Sequence, residues 1–322
     1  MKISIPLLNT KFSDCFESVL ANIAHWQERD YQLMYVNEWD FKFTSQNSLG
    51  NSLDTHRDKS NAFNSYYGIK YTEYDCPDFK ELIAVLNEEL KDKPITVRVD
   101  TYYCPWDKGY MKYHNKMHIY FVNGLDREQS FLYCTDPFYH IEDRMISYDS
   151  FVKGYTGRYG SFEIGSDKSR DVDGREILIK ILTSTIENNI FDSIRHFAQM
   201  LDKTESLANE LEGFNAAWQT PLYWNIVAIE KSRKRIPFLF LFIADQYNVT
   251  EVIDYLDEIN LINEKWDGLA GLILKMLMTK DFSLIKDRIV DKLYEISEYE
   301  KSVANQLLDV LLANKNRVCE IK

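Results

Sequence analysis

The stretch SDCFESVLANIAHW, Ser13–Trp26, places apolar residues at Phe16, Val19, Leu20, Ile23 and Trp26. Steps of three and four residues predict an amphipathic helix that buries one stripe. Asp14, followed three residues later by Glu17, predicts a capping box, so Cys15 falls in the first helical turn. There the unpaired backbone N–H groups and the positive end of the helix dipole favour thiolate over thiol, which makes a nucleophile available near neutral pH. A lone cysteine is more often a small buried hydrophobe, so the assignment turns on whether the chain also supplies a base.

Working outward, PITVRVD (Pro94–Asp100), MHIYFVNG (Met117–Gly124) and SFLYCTDP (Ser130–Pro137) are short, turn-bounded and rich in β-branched and aromatic residues, the character of strands. The last two predict a hairpin through LDREQ. DFKELIAVLNEELKDK (Asp78–Lys93) repeats Leu82, Ile83, Val85, Leu86 and Leu90 and predicts a helix lying on that sheet. The first half therefore reads as α+β. His118 opens one hairpin strand and Asp136 ends the other, so pairing brings imidazole and carboxylate within reach of each other. Cysteine on a helix N-terminus, histidine on a strand and an acid on its neighbour form the activated-nucleophile arrangement of papain-like enzymes. Asn9, six residues before Cys15, is a candidate amide donor to an oxyanion. Singly, each has an ordinary reading, Asn9 as a loop residue and Asp136 as a turn former before proline.

The order DCFESVLANIAHW, DTYYCPWDKGYMKYHNKMHIYFVNGLD, FLYCTDPFY and ISYDSFVKGYTG resembles the papain-like domain of bacteriocin-leader peptidases. It resembles still more the butirosin-biosynthesis acyltransferase family, in which a peptidase-like domain precedes a helical one. The segments EKWDGLAGLILKMLM and DKLYEISEYEKSVANQLL are similar to that family's helical region. The resemblance implies a papain-like N-terminal domain followed by an all-helical C-terminal domain, with Cys15 as nucleophile, His118 as base, Asp136 as orienting acid and Asn9 as oxyanion donor. It also implies movement of an acyl group from the phosphopantetheine thioester of an acyl or peptidyl carrier protein to an amine acceptor, in antibiotic or other natural-product biosynthesis. No cofactor of the enzyme itself is implied. Two positions depart from the leader peptidases, which carry glycine after the nucleophile and glutamine as oxyanion donor where this chain has Phe16 and Asn9. Amide or thioester hydrolysis by the same residues, and a silent scaffold that binds a peptide or carrier protein, are the alternative readings.

His114 and His118 are four apart, but on an extended chain that is about 13 Å, so no metal site is expected; His114 is the runner-up base. In TYYCPWDKGYMKYH (Thr101–His114), Tyr103, Trp106, Tyr110 and His114 are candidate substrate-binding residues, with core packing the commoner use of such rings. Lys231, Arg233, Lys234 and Arg235 form a basic cluster in an acidic chain, a candidate docking patch for an acidic carrier protein, although such a run is usually a solvated face.

With 322 residues, 45% of them hydrophobic, the chain is long enough and apolar enough for two packed units. Nine of the twelve glycines lie at or before Gly174, and helical periodicity dominates afterwards, which divides the chain into an α+β domain of residues 1–168 and a helical domain of residues 169–322. The helical half is a candidate cover for the site, holder of the acceptor or dimer interface. A formal charge of −12 argues against a nucleic-acid-binding surface. No apolar run approaches the roughly 18 residues of a membrane span, and the N-terminus lacks a signal-peptide pattern, so a cytoplasmic protein is expected. Cysteines at 15, 76, 104, 134 and 319 form no CxxC pair and read as separate thiols. The polar stretch Thr44–Ser65 is a candidate substrate flap.

Overall fold

The computed structural model describes residues 2–44, 48–279 and 282–320. In chain order the elements are α1 (Cys15–Trp26), β1 (Lys42–Phe43), β2 (Leu53–Asp54), α2 (Lys59–Tyr67), β3 (Ile69–Asp75), α3 (Phe79–Glu89), β4 (Ile95–Val99), β5 (His118–Asp126), β6 (Phe131–Asp136), β7 (Ile141–Ser147), α4 (Tyr148–Gly154) and β8 (Tyr155–Ile164). Helices α5 (Gly174–Glu187), α6 (Ile190–Asp202), α7 (Ala208–Leu211), α8 (Pro221–Gln246), α9 (Leu256–Met278) and α10 (Ser283–Glu320) follow. Two compact units result. One comprises Met1–Met34 with Lys59–Arg170, the other Tyr35–Asp58 with Asp171–Lys322.

The first unit is built on a six-stranded antiparallel sheet of order β3-β8-β4-β5-β6-β7. Period-two alternation along β4, β5 and β6 sends Val97, Val99, Tyr120, Val122, Leu132 and Cys134 into one core with Leu82, Leu86 and Leu90 from α3 and its end. The other face is joined to α1 through rings in sequence. Phe16 meets Tyr71 at 5.1 Å, Tyr71 meets Phe162 at 5.4 Å, and Phe162 meets Phe121 at 6.2 Å. Tyr71 lies so close over Gly160 that a Cβ there would come within 2.3 Å of its ring, so the glycine leaves the space the tyrosine fills. The fold of this unit is α+β, with a cysteine-bearing helix laid on an antiparallel sheet.

In the second unit six helices are joined by Tyr35–Asp58, which carries the two-stranded β1–β2 ladder. The division expected at residue 168 thus falls at Arg170, and the helical half also takes in a segment from far upstream. Local composition gives no sign of this, because the segment is held by partners distant in sequence. A Cβ on Gly50 would meet the Leu222 backbone nitrogen at 2.3 Å, and Asn225 donates to the Gly50 carbonyl at 2.9 Å. The candidate flap is therefore largely anchored; its residues 45–47 lie outside the described residues.

The centre of this unit is Glu300, fully buried. It accepts from Arg233 Nε at 2.8 Å and Nη2 at 3.2 Å, from Trp39 Nε1 at 3.0 Å and from Trp266 Nε1 at 2.6 Å. Arg233 also donates to the Glu38 and Asp40 carbonyls, and Arg235 pairs with Glu38. This corrects the docking patch expected from Lys231, Arg233, Lys234 and Arg235. Arg233 is 0% exposed and Arg235 4%, Lys234 is paired with Glu230 and Asp267, and only Lys231 of the four stands exposed. Buried charges must be paired, and these cations are spent inside the unit. Glu300→Ala, which leaves Arg233 and two indole N–H groups buried without their acceptor, should cost about 3–5 kcal/mol, while Lys231→Glu should stay within about 0.5 kcal/mol. Denaturant unfolding of the two variants measures both, and equal losses would show that the buried cluster does not hold the unit together.

Candidate active site

Helix α1 begins where its capping chemistry requires. The Asp14 carboxylate accepts from Glu17 N at 2.8 Å, and the Glu17 carboxylate accepts from Asp14 N at 2.9 Å. Glu17 is fully buried and its second oxygen pairs with Lys59 at the start of α2. Cys15 is therefore the first residue of the helix, half-exposed, with Sγ 3.9 Å from the Met117 carbonyl oxygen. The approach to the helix is held too, since Leu8 N donates to Asn22 at 2.8 Å and the Thr10 and Ser18 hydroxyls lie 3.1 Å apart. Asn9 sits exposed between these two tethers.

Strand β5 opens at His118, whose Cα partner on β4 is Val99. Strands β5 and β6 form the expected hairpin, with Phe121 opposite Thr135, so His118 and Asp136 lie at the same end of the ladder. His118 Nε2 and Asp136 Oδ2 are 2.7 Å apart. Cys15 Sγ touches the carbonyl of Met117, the residue just before His118, and with Nε2 held by Asp136, Nδ1 is the ring nitrogen left to face the thiol. The chain thus brings together Cys15, His118 and Asp136, in that spatial order. Burial pulls the His118 pKa down, but hydrogen bonds to Asp136 and Cys15, with the charge of each, outweigh it and push the value up to about 10. The ring is then an imidazolium at neutral pH.

Asp136 is fully buried and satisfied on both oxygens. Oδ2 accepts from His118 and from Trp106 Nε1, the latter at 2.7 Å, while Oδ1 accepts from Phe138 N at 3.1 Å. The turn-former reading of an aspartate before proline is seen on Oδ1, while Oδ2 pairs with the His118 imidazole. Trp106, expected on the substrate side, is half-buried with its N–H turned to the carboxylate and its ring 5.5 Å from Tyr120. That donor role was missed, because nothing near Trp106 in sequence announces an acceptor 30 residues away.

His114 is not part of this group. It is mostly exposed, hydrogen-bonds Asp100 Oδ2 at 2.8 Å and stacks on Tyr102 at 4.3 Å. Tyr103 and Tyr110 are exposed on the same loop. Cys76, Cys104 and Cys134 are buried, and burial pushes their thiols up, Cys104 to about 12. Cys104, His118 and Asp136 bring three donor atoms within 4.8 Å of one another. The 2.7 Å between His118 and Asp136 is a hydrogen bond, shorter than the about 3.3 Å that separates two tetrahedral ligands of one zinc ion.

Solved structures similar to part of this chain include the following two. The peptidase domain of Streptococcus ComA, a bi-functional ABC transporter involved in a quorum sensing pathway, is 18% identical, with a TM-score of 0.32, and the match covers 50% of this chain and 98% of that one. A double-glycine-motif protease from an AMS/PCAT transporter, in complex with a leader peptide, is 16% identical, with a TM-score of 0.31, over 51% of this chain and 94% of that one. No protein-family model and no curated protein matches the chain. The geometry of the first unit is a cysteine at a helix N-terminus, with a histidine and an acid paired on adjacent antiparallel strands.

His118 should titrate near pH 10 by NMR of its ring protons, and Asp136→Asn should bring that midpoint down toward the ordinary 6.5. Because the folded value is raised, the pair stabilises the fold fully below pH 6.5, and that stabilisation is lost as pH rises toward about 10. The stability difference between wild type and Asp136→Asn should shrink across that window; a His118 midpoint unmoved by the substitution would refute the assignment of its cause.

Proposed function

We propose that the protein is a cysteine-dependent acyltransferase that takes an acyl group from a phosphopantetheine-type thioester and delivers it to an amine. The observation that carries this reading is His118, paired with the buried Asp136 and following directly on Met117, whose carbonyl the Cys15 thiol touches. In this reading the Cys15 sulfur, at a helix N-terminus, attacks with its proton held by the neighbouring His118. As Cys15 Sγ bonds to the thioester carbonyl carbon, negative charge develops on the carbonyl oxygen. The Cys15 backbone N–H and the Asn9 amide are the donors this reading gives to that oxyanion. His118 passes its proton to the departing pantetheine sulfur as the old carbon–sulfur bond breaks. The neutral imidazole then accepts a proton from the amine as its nitrogen attacks the acyl-Cys15 carbonyl, the amide forms, and Cys15 leaves as thiolate beside a restored imidazolium.

Exchange of one thioester for another is nearly isoenergetic, so the first step needs no further driving force, and the second is downhill because an amide is more stable than a thioester. Phe16 supports transfer over proteolysis. It puts a ring, committed to Tyr71, where the leader peptidases carry glycine beside the nucleophile. The carrier partner belongs to this reading, but the cluster at Lys231–Arg235 is not where it docks.

Intact-protein mass spectrometry after exposure to a panel of small pantetheine acyl thioesters tests the proposal. Wild type should gain one acyl group, Cys15→Ser none, and His118→Ala should acylate about 10²–10⁴-fold more slowly. Added amines should discharge the adduct as amide faster than water does. Discharge by water alone would make the protein a hydrolase, and no adduct at all, with thiols that alkylate at ordinary rates, would leave a binding scaffold.

A further inference from the structure

Within this site one side chain has a partner that its expected role does not explain. Trp106 Nε1 and His118 Nε2 each lie 2.7 Å from the same oxygen, Asp136 Oδ2. The indole is aimed by the loop that carries it. Thr101 N donates to the Asn115 carbonyl at 2.9 Å, and Met111 N to the Tyr102 carbonyl at 3.0 Å. Asp100, almost fully buried, draws the base of the loop together by accepting from Tyr102 N and Asn115 N, each at 3.1 Å, and bonding His114. A loop closed this way holds Trp106 against Tyr120 with little freedom, so its N–H is a fixed point for the carboxylate.

We infer that Trp106 is a positioning residue: its indole N–H fixes the rotation of the Asp136 carboxylate, and through it the plane and ring nitrogen that His118 presents to Cys15. A carboxylate turns about its last bond at low cost. With Phe138 N on Oδ1 and two donors on Oδ2, one rotation satisfies all three. Loss of the indole donor leaves Oδ2 to His118 alone, so the two rings lose their common reference. This inference rests on the reading of Asp136 as the acid that orients His118. It assigns Trp106 to the far side of the dyad from the nucleophile, in place of the acceptor pocket.

The test has two arms. By proton–nitrogen NMR of the wild-type protein, the Trp106 indole N–H should resonate downfield of an indole bonded to neutral oxygen and resist solvent exchange, and Asp136→Asn should shift it upfield. An indole signal indifferent to Asp136→Asn overturns the inference whether or not the protein transfers acyl groups, and this arm needs no Trp106 variant to fold. In the second arm, single-turnover acylation of Cys15 is followed against thioester concentration in Trp106→Phe, which keeps an apolar ring but has no N–H. The maximal rate should fall about tenfold or more, with the half-saturating concentration unchanged, and Trp106→Phe should add no loss to Asp136→Asn. A raised half-saturating concentration at unchanged rate would make Trp106 part of the substrate wall, and independent losses in the double variant would also overturn the inference. Absence of acylation in wild type ends the transfer reading and leaves the first arm to decide on Trp106.

Discussion

A carboxylate with no exposure to water is costly unless both oxygens find donors, and the Cys15–His118 end of the first unit is organised by that requirement at Asp136. One donor is the backbone N–H of Phe138, which shapes the turn leaving β6. The second is Trp106, which gives the long loop between β4 and β5 a fixed inner contact. The third is His118, and here the requirement becomes chemistry. A buried imidazole loses charge unless an anion restores it, and the anion that restores it also sets which nitrogen faces Cys15.

The thiol meets this pair because two independent local rules agree on where it stands. The capping box starts α1 at Asp14, and the stripe that includes Phe16 turns the helix onto the sheet. Each residue of an α-helix advances about 100° around the axis. A start shifted by one position would therefore swing the thiol away from the Met117 carbonyl and His118. Burial of Glu17 against Lys59 reinforces the same start, because the glutamate of the capping box is also tied to α2.

What could be read in the sequence follows from the range over which each signal acts. The start of α1, the β5–β6 hairpin and the α3 helix are written in neighbours a few residues apart, and their positions emerge within a residue or two, apart from the last turn expected of α3. Strands β3, β7 and β8 had no such signature. IKYTEYD and IEDRMIS are mostly polar and partly exposed, and YTGRYGSFEI is interrupted by two glycines, so only pairing in the assembled sheet identifies them. Cys15, His118 and Asp136 were legible because each sits at the end of a legible element. The bond of Trp106 to Asp136, and the burial of Arg233 against Glu300 with a sequence separation of 67, depend on the fold and have no local trace.

The two units solve the same problem with different cations, and the difference separates structure from chemistry. Asp136 and Glu300 are both fully buried carboxylates that accept from indole N–H groups, one from Trp106 and the other from Trp39 and Trp266. Glu300 faces the guanidinium of Arg233, a group that keeps its proton at any pH a folded protein meets. Such a pair holds helices together and can do little else. Asp136 faces an imidazole, whose proton can leave because the carboxylate stabilises the charged form without fixing its proton permanently. With arginine at position 118 the carboxylate would still be paired, but the proton could no longer move, so it is histidine at that position that leaves the buried pair able to give up a proton and take it back.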